Sequence, residues 1–246
     1  MTHIGKLRTG NEDAIAVDDW IRQESMVSPE FFAVRIDRPR LFVVCDGMGG
    51  HEAGEVASRL IAGEVSAHSS SLMEASSIER LLLKLNDEMF DRMEQEPMKW
   101  GMGTTIAGIV LWQESIHFFN VGDSRVYRLQ NGYLRQLSID DSAENCAPGN
   151  GCGREVSEKR RISGTIRQAI GGAHERTDIT PHVGTEAFYD NTRYLICSDG
   201  LTDMVDLDHM EACFRDSDDL VVVKHLLQAA LDNGGIDNVS IVLVST

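Results

Sequence analysis

Acidic side chains stand at the ends of several apolar, strand-like runs in this 246-residue chain. Asp46 follows LFVVC and Asp199 follows RYLICS, and a glycine comes directly after each aspartate. The full set with this placement is Glu12, Asp13, Asp46, Asp123, Asp199 and Asp237. One such aspartate is typical of a turn in which the side chain bonds its own backbone. Several of them brought together at one sheet edge would repel one another unless a cation neutralised them.

The chemistry of these side chains indicates which cation they would hold. Carboxylate oxygens without nearby histidine or cysteine favour hard ions such as Mg²⁺ or Mn²⁺. A glycine after an aspartate lets the backbone approach the ion, so that a main-chain carbonyl can become a further ligand. The pattern therefore predicts a divalent-cation site assembled from distant parts of the chain.

Apolar runs with strand composition must position these acids. Eight such runs lie at 14–17, 31–36, 41–45, 104–111, 116–121, 125–129, 193–197 and 239–244, with a further strand near 133–138. Turn signals at 122–124 (GDS) and 130–132 (QNG) separate some of them as in β-hairpins. Apolar residues at helical spacing predict helices over 52–68, 78–95 and 218–232. Two adjacent helices after three strands do not fit regular βαβ alternation, so we predict an α+β fold of antiparallel sheets covered by helices.

Composition restricts the class of protein. With 39 acidic and 23 basic residues the formal net charge is −16, which disfavours nucleic acid and anionic membranes as partners. The first residues lack the apolar core of a signal peptide and no run reaches the roughly 20 apolar residues of a membrane span, so we expect a cytoplasmic protein. The five cysteines do not suggest a disulfide framework. We interpret Cys45 and Cys197 as buried thiols, and Cys146 and Cys152 either as bystanders or as a redox-sensitive pair.

Six motifs follow one another along the chain: RTGNEDA (8–14), VVCDGMGGHEAGEVAS (43–58), GMGTTIAGIVL (101–111), FNVGDSRVYRL (119–129), YLICSDGLTDMV (194–205) and GGIDNVSIVLV (234–244). In this order they resemble the set found in metal-dependent type 2C (PPM family) serine/threonine protein phosphatases. The resemblance covers nearly the whole chain and is closest in form to the compact bacterial members. It implies a four-layer αββα sandwich, two antiparallel sheets flanked by helix pairs, in a single catalytic domain over 1–246 with a flap-like insertion at about 140–165.

The resemblance also implies roles for the acids. Asp46 resembles the carboxylate that bridges two metal ions, and the main-chain oxygen of Gly47 is a ligand of one of them. Asp199 and Asp237 resemble the other direct ligands of the first ion.

Four further residues match the family's supporting positions. Glu12 and Asp13 resemble the acids that hold metal-bound waters, and Asp123 resembles the ligand of a third ion in bacterial members. Arg8 matches the arginine that grips the substrate phosphate, for which a guanidinium with two parallel donors is better suited than a lysine.

The function that follows is hydrolysis of phosphoserine and phosphothreonine in proteins. A hydroxide bridging two Mn²⁺ or Mg²⁺ ions would be the nucleophile, because the ions depress the pKa of bound water. We therefore expect Arg8 and Asp46 in catalysis, phosphoproteins as substrates, a cognate bacterial Ser/Thr kinase and a monomeric state. Two alternatives stay open: a small-molecule phosphoesterase, and a non-catalytic phosphoprotein-binding module.

Two regions depart from the family pattern. Met48 stands where many eukaryotic relatives have a histidine proposed as general acid, and His51 cannot be assumed to replace it. The middle of the insertion is also altered, and its basic run Lys159, Arg160 and Arg161 either favours acidic flanks on the substrate or is simply solvated. Thr104 and Thr105 open an apolar strand, so we expect their hydroxyls to bond backbone groups beneath the metal site.

Overall fold

The computed structural model describes residues 1–49, 53–142 and 166–246. The strands in these parts of the chain are Thr2–His3 (β1), Asp13–Val17 (β2), Trp20–Arg22 (β3), Arg40–Met48 (β4), Gly103–Thr104 (β5), Ile106–Trp112 (β6), Ser115–Val121 (β7), Arg125–Gln130 (β8), Tyr133–Gln136 (β9), Ile170–Gly171 (β10), His182–Ala187 (β11), Arg193–Cys197 (β12) and Val239–Ser245 (β13). The α-helices are Ala53–Ala67 (α1), Ala75–Gln95 (α2), Asp199–Thr202 (α3), Leu207–Cys213 (α4) and Asp219–Asp232 (α5).

The strands form two antiparallel sheets. One contains five strands in the order β1-β13-β12-β8-β9. The other contains eight, with β10-β5-β4-β6-β7-β11 as its main path and β2 pairing with both β3 and β4. The apolar inner faces of the two sheets pack against each other around Ile15, Val44, Ile109, Tyr194 and Val242.

A pair of helices covers the outer face of each sheet. Helices α1 and α2 bury apolar residues such as Ile61 and Leu85 against the eight-stranded sheet. On the other side, α4 and α5 bury Met210 and Leu226 against the five-stranded sheet. This arrangement confirms the predicted fold class, an α+β, four-layer αββα sandwich of two antiparallel sheets flanked by helix pairs.

The ends of the long helices follow from local sequence. Helix α2 begins with a capping box, in which Glu74 and Ser77 exchange hydrogen bonds with each other's backbone N–H groups. Helix α5 begins at Asp218, whose carboxylate accepts a hydrogen bond of 2.9 Å from the N–H of Leu220. Among the described helices, none combines the length and the apolar composition that crossing a membrane requires.

The strand predicted over residues 31–36 is wrong. This segment has no regular secondary structure, and Phe31 is 71% exposed. Both edges of the neighbouring β4 are already occupied, by β2 on one side and β6 on the other, so these residues have no free edge of β4 to join. Its aromatic residues pack locally instead, with the Phe32 ring 5.0 Å from that of Trp20.

The two turn signals have different outcomes. Asn131 and Gly132 both adopt positive φ angles, 54° and 83°, in the two-residue hairpin between β8 and β9, as predicted. Gly122 also has a positive φ, but the GDS turn does not form a hairpin. It connects β7 in one sheet to β8 in the other, and this crossover carries Asp123 to the junction of the two sheets.

Candidate functional site

The acidic residues singled out in the sequence meet at one end of the sandwich. Asp13 and Asp46 are direct partners in the antiparallel register of β2 and β4, in the eight-stranded sheet. Asp199 follows β12 and begins α3, and Asp237 precedes β13, so both lie at the ends of strands of the five-stranded sheet. The four carboxylates therefore approach one another across the gap between the sheets.

The electrostatics of the cluster show how unfavourable this proximity is without a counterion. Burial, followed by repulsion from Asp13 and Asp199, raises the pKa of Asp46 well above its ordinary value. The pKa of Asp13 is raised to about 7 and that of Asp199 to about 6, in both cases first by burial and then by neighbouring carboxylates. Burial and mutual repulsion therefore make the charged forms of these carboxyl groups less favourable in the folded protein than those of solvent-exposed aspartates.

Asp123 adds a carboxylate beside this cluster. Burial raises the pKa of Asp123 to about 7, and the nearby Asp199 contributes to the shift. Arg125, two residues along the chain, lowers the pKa of Asp123 but does not offset the burial.

Several buried carboxylate oxygens in the cluster accept no hydrogen bond from the described residues. They are Oδ1 of Asp13, Oδ1 of Asp123 and Oδ1 of Asp199. A buried anionic oxygen without a donor is unfavourable by several kcal/mol unless a cation binds it. The orphaned oxygens and the all-oxygen chemistry of the donors therefore fit Mg²⁺ or Mn²⁺.

The side chains do not, however, form a finished coordination shell. Within the described ranges, no three His, Cys, Asp or Glu side chains have the geometry of a complete ion site. Asp237 is turned to other partners: its Oδ2 accepts a hydrogen bond from Arg8, and its Oδ1 accepts one from the N–H of Asn238. One oxygen of Asp13 is likewise occupied by the Ser198 hydroxyl.

The glycines beside the aspartates are required by close backbone contacts. A Cβ atom at Gly47 would lie 2.1 Å from the Gly54 carbonyl oxygen, and one at Gly200 would lie 1.9 Å from that of Asn238. The N–H of Gly47 also donates to the carbonyl of Glu12 over 3.1 Å. Gly47 therefore fixes the backbone of Glu12 against the end of β4, where the carboxylates meet.

Arg8 reaches the cluster from the exposed N-terminal segment. Its Nη2 donates to Asp237 Oδ2 over 2.6 Å, and its Nη1 lies 3.9 Å from Glu12 Oε2. The hydrogen bond that Arg8 donates to Asp237 is the main cause of the raised pKa of Arg8. Because the Arg8 side chain remains 48% exposed, an anion arriving from solvent can reach the guanidinium.

Hydroxyl groups support the cluster from below, as predicted for Thr104 and Thr105. The Thr104 hydroxyl donates to the main-chain carbonyl of Asp46 over 2.8 Å, and the N–H of Asp46 lies 3.3 Å from Thr105 Oγ1. The Thr105 hydroxyl in turn contacts that of Ser124. These hydrogen bonds fix the backbone of Asp46 and thereby the position of its carboxylate.

Some residues that organise the site were not found by sequence reasoning. Ser198 bonds the Asp13 carboxylate over 2.8 Å, and the side chain of Asn238 accepts from the N–H of Glu12 over 2.8 Å. Both lie inside the motifs quoted above: Ser198 directly precedes Asp199, and Asn238 directly follows Asp237. This adjacency could have indicated their role. Nothing in the sequence indicates a role for His182. Its Nε2 lies 2.8 Å from Asp141 Oδ1, but the two residues are separated by 41 positions in the sequence.

The base of the insertion is tied to the same end of the fold. Asp140 accepts two hydrogen bonds from the Arg125 guanidinium, at 2.8 and 2.6 Å. Asp141 accepts one from the N–H of Gly122, next to Asp123.

Predictions for the rest of the insertion lie outside the described residues. They concern Cys146, Cys152, Lys159, Arg160 and Arg161, and His51 is likewise not described. Cys45 and Cys197 are buried free thiols, as predicted.

Comparison with known proteins gives concordant results. The family model described as Protein phosphatase 2C matches residues 2–164. A serine/threonine phosphatase, stp, of Listeria monocytogenes is 32% identical over 220 residues, which cover 85% of this chain and 85% of stp. The serine/threonine protein phosphatase PstP of Mycobacterium tuberculosis is also 32% identical, over 83% of this chain. The chain spans only 40% of the length of that PstP.

A solved structure matches the whole fold. The catalytic domain of the serine threonine protein phosphatase PstP, crystallised in complex with two manganese ions, superposes with a TM-score of 0.76. It is 29% identical, and the alignment covers 99% of this chain and 94% of that domain.

Proposed function

The chain belongs to the protein phosphatase 2C family, and from this premise we propose that it hydrolyses phosphoserine and phosphothreonine in proteins and reverses the action of a bacterial Ser/Thr kinase. The observation that carries the proposal is the set of buried carboxylates, several with unbonded oxygens, at the junction of the two sheets. Such a cluster is electrostatically reasonable only as a site for cations.

The metal ligands we propose come from both sheets. Asp46, Asp199 and Asp237 would be direct ligands together with the carbonyl of Gly47, and Asp46 would bridge two ions. Glu12 and Asp13 would hold waters on the ions, and Asp123 would bind a third ion. When bound, two divalent ions would supply a water whose pKa is low enough for it to attack phosphorus at neutral pH.

The residues of the chain would then orient the reacting groups. Arg8 would exchange its carboxylate partner, Asp237, for two oxygens of the phosphoryl group, which match the two parallel N–H donors of a guanidinium. In that position it would hold phosphorus in line with the serine or threonine oxygen that leaves. The same exchange would release Asp237 Oδ2 toward the cluster.

A comparison of two substrates tests the proposal. We expect hydrolysis of a phosphothreonine peptide in Mn²⁺, with loss of activity in chelator. Asp46→Ala should lower kcat/KM by at least about 100-fold, because it removes the bridging ligand. A matched control is Asp218→Asn at the start of α5, which keeps a good N-cap at the opposite end of the sandwich. A fully active Asp46→Ala variant would refute the assignment.

The same assay separates the alternatives. A small-molecule phosphoesterase would hydrolyse an aryl phosphate and leave the peptide intact, whereas a binding module would hydrolyse neither. Arg8→Ala should raise KM and weaken inhibition by inorganic phosphate while Mn²⁺ binding, measured by calorimetry, persists. Loss of Mn²⁺ binding in Arg8→Ala would show that its role had been misassigned.

A further inference from the structure

The side chain of Asn238 connects the C-terminal strand to the N-terminal segment. It is 3% exposed and lies between Asp237 and the start of β13. Its Nδ2 donates to the carbonyls of Ile4 and Gly10, over 2.9 and 3.0 Å, and its Oδ1 accepts from the N–H of Glu12 over 2.8 Å. One buried amide thus uses both its donors and its acceptor on three backbone groups of the same segment.

These bonds enclose the residues that carry Arg8. Residues 6–10 are exposed, and Asn238 holds the chain on both sides of Arg8, at Ile4 and at Gly10. The N–H of Lys6 adds a bond of 2.7 Å to the carbonyl of Gly235. The Arg8 side chain therefore projects from a short loop whose two ends are fixed to the same side chain.

Glu12 is held more redundantly than Arg8. Its carbonyl accepts hydrogen bonds from the Ser58 hydroxyl and from the N–H of Gly47, in addition to the bond from its own N–H to Asn238. Loss of the amide should therefore loosen the loop around Arg8 more than the backbone of Glu12.

We propose that Asn238 is a positioning residue that holds Arg8 where it can bind the substrate phosphate. The inference rests on the proposed function of Arg8 and extends it to the residue that fixes the arginine in place. No other side chain of this size offers two donors and an acceptor together, since a carboxylate has no donor and a hydroxyl has one. A loosened loop would let the guanidinium move away from its anion, and misplacement by about 1 Å can already reduce rates about 100-fold.

The test compares Asn238→Ala and Asn238→Asp with the wild type. The control is Asn86→Ala on α2, because Asn86 is also 3% exposed and also bonds two backbone groups, the carbonyl of Thr177 and the N–H of Gly171. For Asn238→Ala we expect KM for the peptide and the inhibition constant of inorganic phosphate to rise about tenfold or more, with a smaller change in kcat. Neither constant should change more than twofold in Asn86→Ala.

Amide hydrogen exchange provides a readout that does not depend on turnover. The N–H of Glu12 should lose protection in Asn238→Ala. In Asn238→Asp the N–H of Glu12 should remain protected, because an aspartate keeps the Oδ1 that accepts its hydrogen bond. The loop around Arg8 should still loosen, because an aspartate lacks the two N–H donors that bond Ile4 and Gly10. If Asn238→Ala does not fold, the KM for the peptide and the inhibition constant of inorganic phosphate are compared between Asn238→Asp and the wild type instead.

Two outcomes would overturn the inference. The first is unchanged exchange and phosphate inhibition in folded Asn238 variants. The second is a fall in kcat with weaker Mn²⁺ binding in calorimetry and an unchanged KM, which would show that the substitution acts by shifting the neighbouring Asp237, whose Oδ1 accepts the backbone N–H of residue 238. Failure of the proposed function would look different, because the wild type itself would neither hydrolyse the peptide nor be inhibited by phosphate.

Discussion

Lowering the pH from 8 to 5 should stabilise the metal-free protein against unfolding, and Asp123→Asn should remove a defined part of that gain. Asp123 has a pKa of about 7 in the folded protein, compared with an ordinary value of 3.8. For an acid with a raised folded-state pKa, the folded state binds the proton first as the pH falls. The free energy of unfolding therefore increases as the pH falls through 7, the reverse of ordinary acid denaturation.

The size of the effect follows from the proton bound to one group. Folded Asp123 binds about half a proton at pH 7 and close to one at pH 5, whereas the unfolded chain binds almost none in this range; integrated from pH 8 to pH 5, the difference is equivalent to one extra proton over about two pH units. Each pH unit then changes the free energy of unfolding by about 1.4 kcal/mol, or about 2.7 kcal/mol in all. For a chain of this length that corresponds to a change in Tm of about 5–10 °C.

The measurement is calorimetric Tm at pH 8 and pH 5 in chelator, for the wild type and for Asp123→Asn. The asparagine is uncharged at both pH values, so the difference between the two proteins isolates the contribution of this carboxyl from that of other acids. We expect the gain in Tm of the variant on acidification to be smaller by about 5–10 °C. Saturating Mn²⁺ should abolish the gain in the wild type, since ions that neutralise the carboxylates compete with protons.

Equal pH dependence in the two proteins would refute this reasoning. It would mean that the Asp123 carboxylate is already compensated in the folded state, and the unbonded Oδ1 could then no longer support a cation site. A wild-type Tm in chelator that falls steadily from pH 8 to pH 5 would lead to the same conclusion for the whole cluster.

Two further predictions concern the metal and the backbone around it. Mn²⁺ at about 100 times its Kd should raise Tm by about 5–10 °C, corresponding to about 2.7 kcal/mol, and Asp199→Asn should lose most of that shift in a thermal melt. Gly200→Ala should destabilise the protein by about 1–3 kcal/mol in urea unfolding and weaken Mn²⁺ binding, because the added methyl group would overlap the Asn238 carbonyl. Gly63→Ala on α1 is the control, because the nearest atom to the added Cβ would be 3.8 Å away and alanine has a higher helix propensity than glycine. If Gly200→Ala proved as stable as the wild type, the close approach of α3 to the Asn238 carbonyl would be contradicted.

The sequence predicts the central layers of the fold because their signals are local. The runs that became β4, β12 and β13 are continuous and apolar, and α2 carries a long helical repeat with its own cap. By contrast β11, with the sequence HVGTEA, has little apolar content and forms by pairing with β7 along a sheet edge. Helix α4 is seven residues long, too short for a clear period.

The site shows the same division between local and tertiary information. The position of each aspartate at a strand end is readable in the sequence, because the apolar run that precedes or follows it is readable. The partners of those aspartates are not, since Ser198 reaches Asp13 across 185 residues and Arg8 reaches Asp237 across 229. The failure at residues 31–36 has a related cause: their composition suits a strand, but β4 has no free edge for them.

The contact between Arg8 and Asp237 also has a consequence for synthesis. The acids from Glu12 to Asp237 must all be present before the proposed cation site has its full set of donors. Asp237 is the last of these acids to emerge from the ribosome, after helices α3, α4 and α5 have been synthesised. A fragment that stops before Asp237 would also lack β13, the strand that pairs with both β1 and β12, so it would lose a proposed metal ligand and the middle of that part of the sheet together.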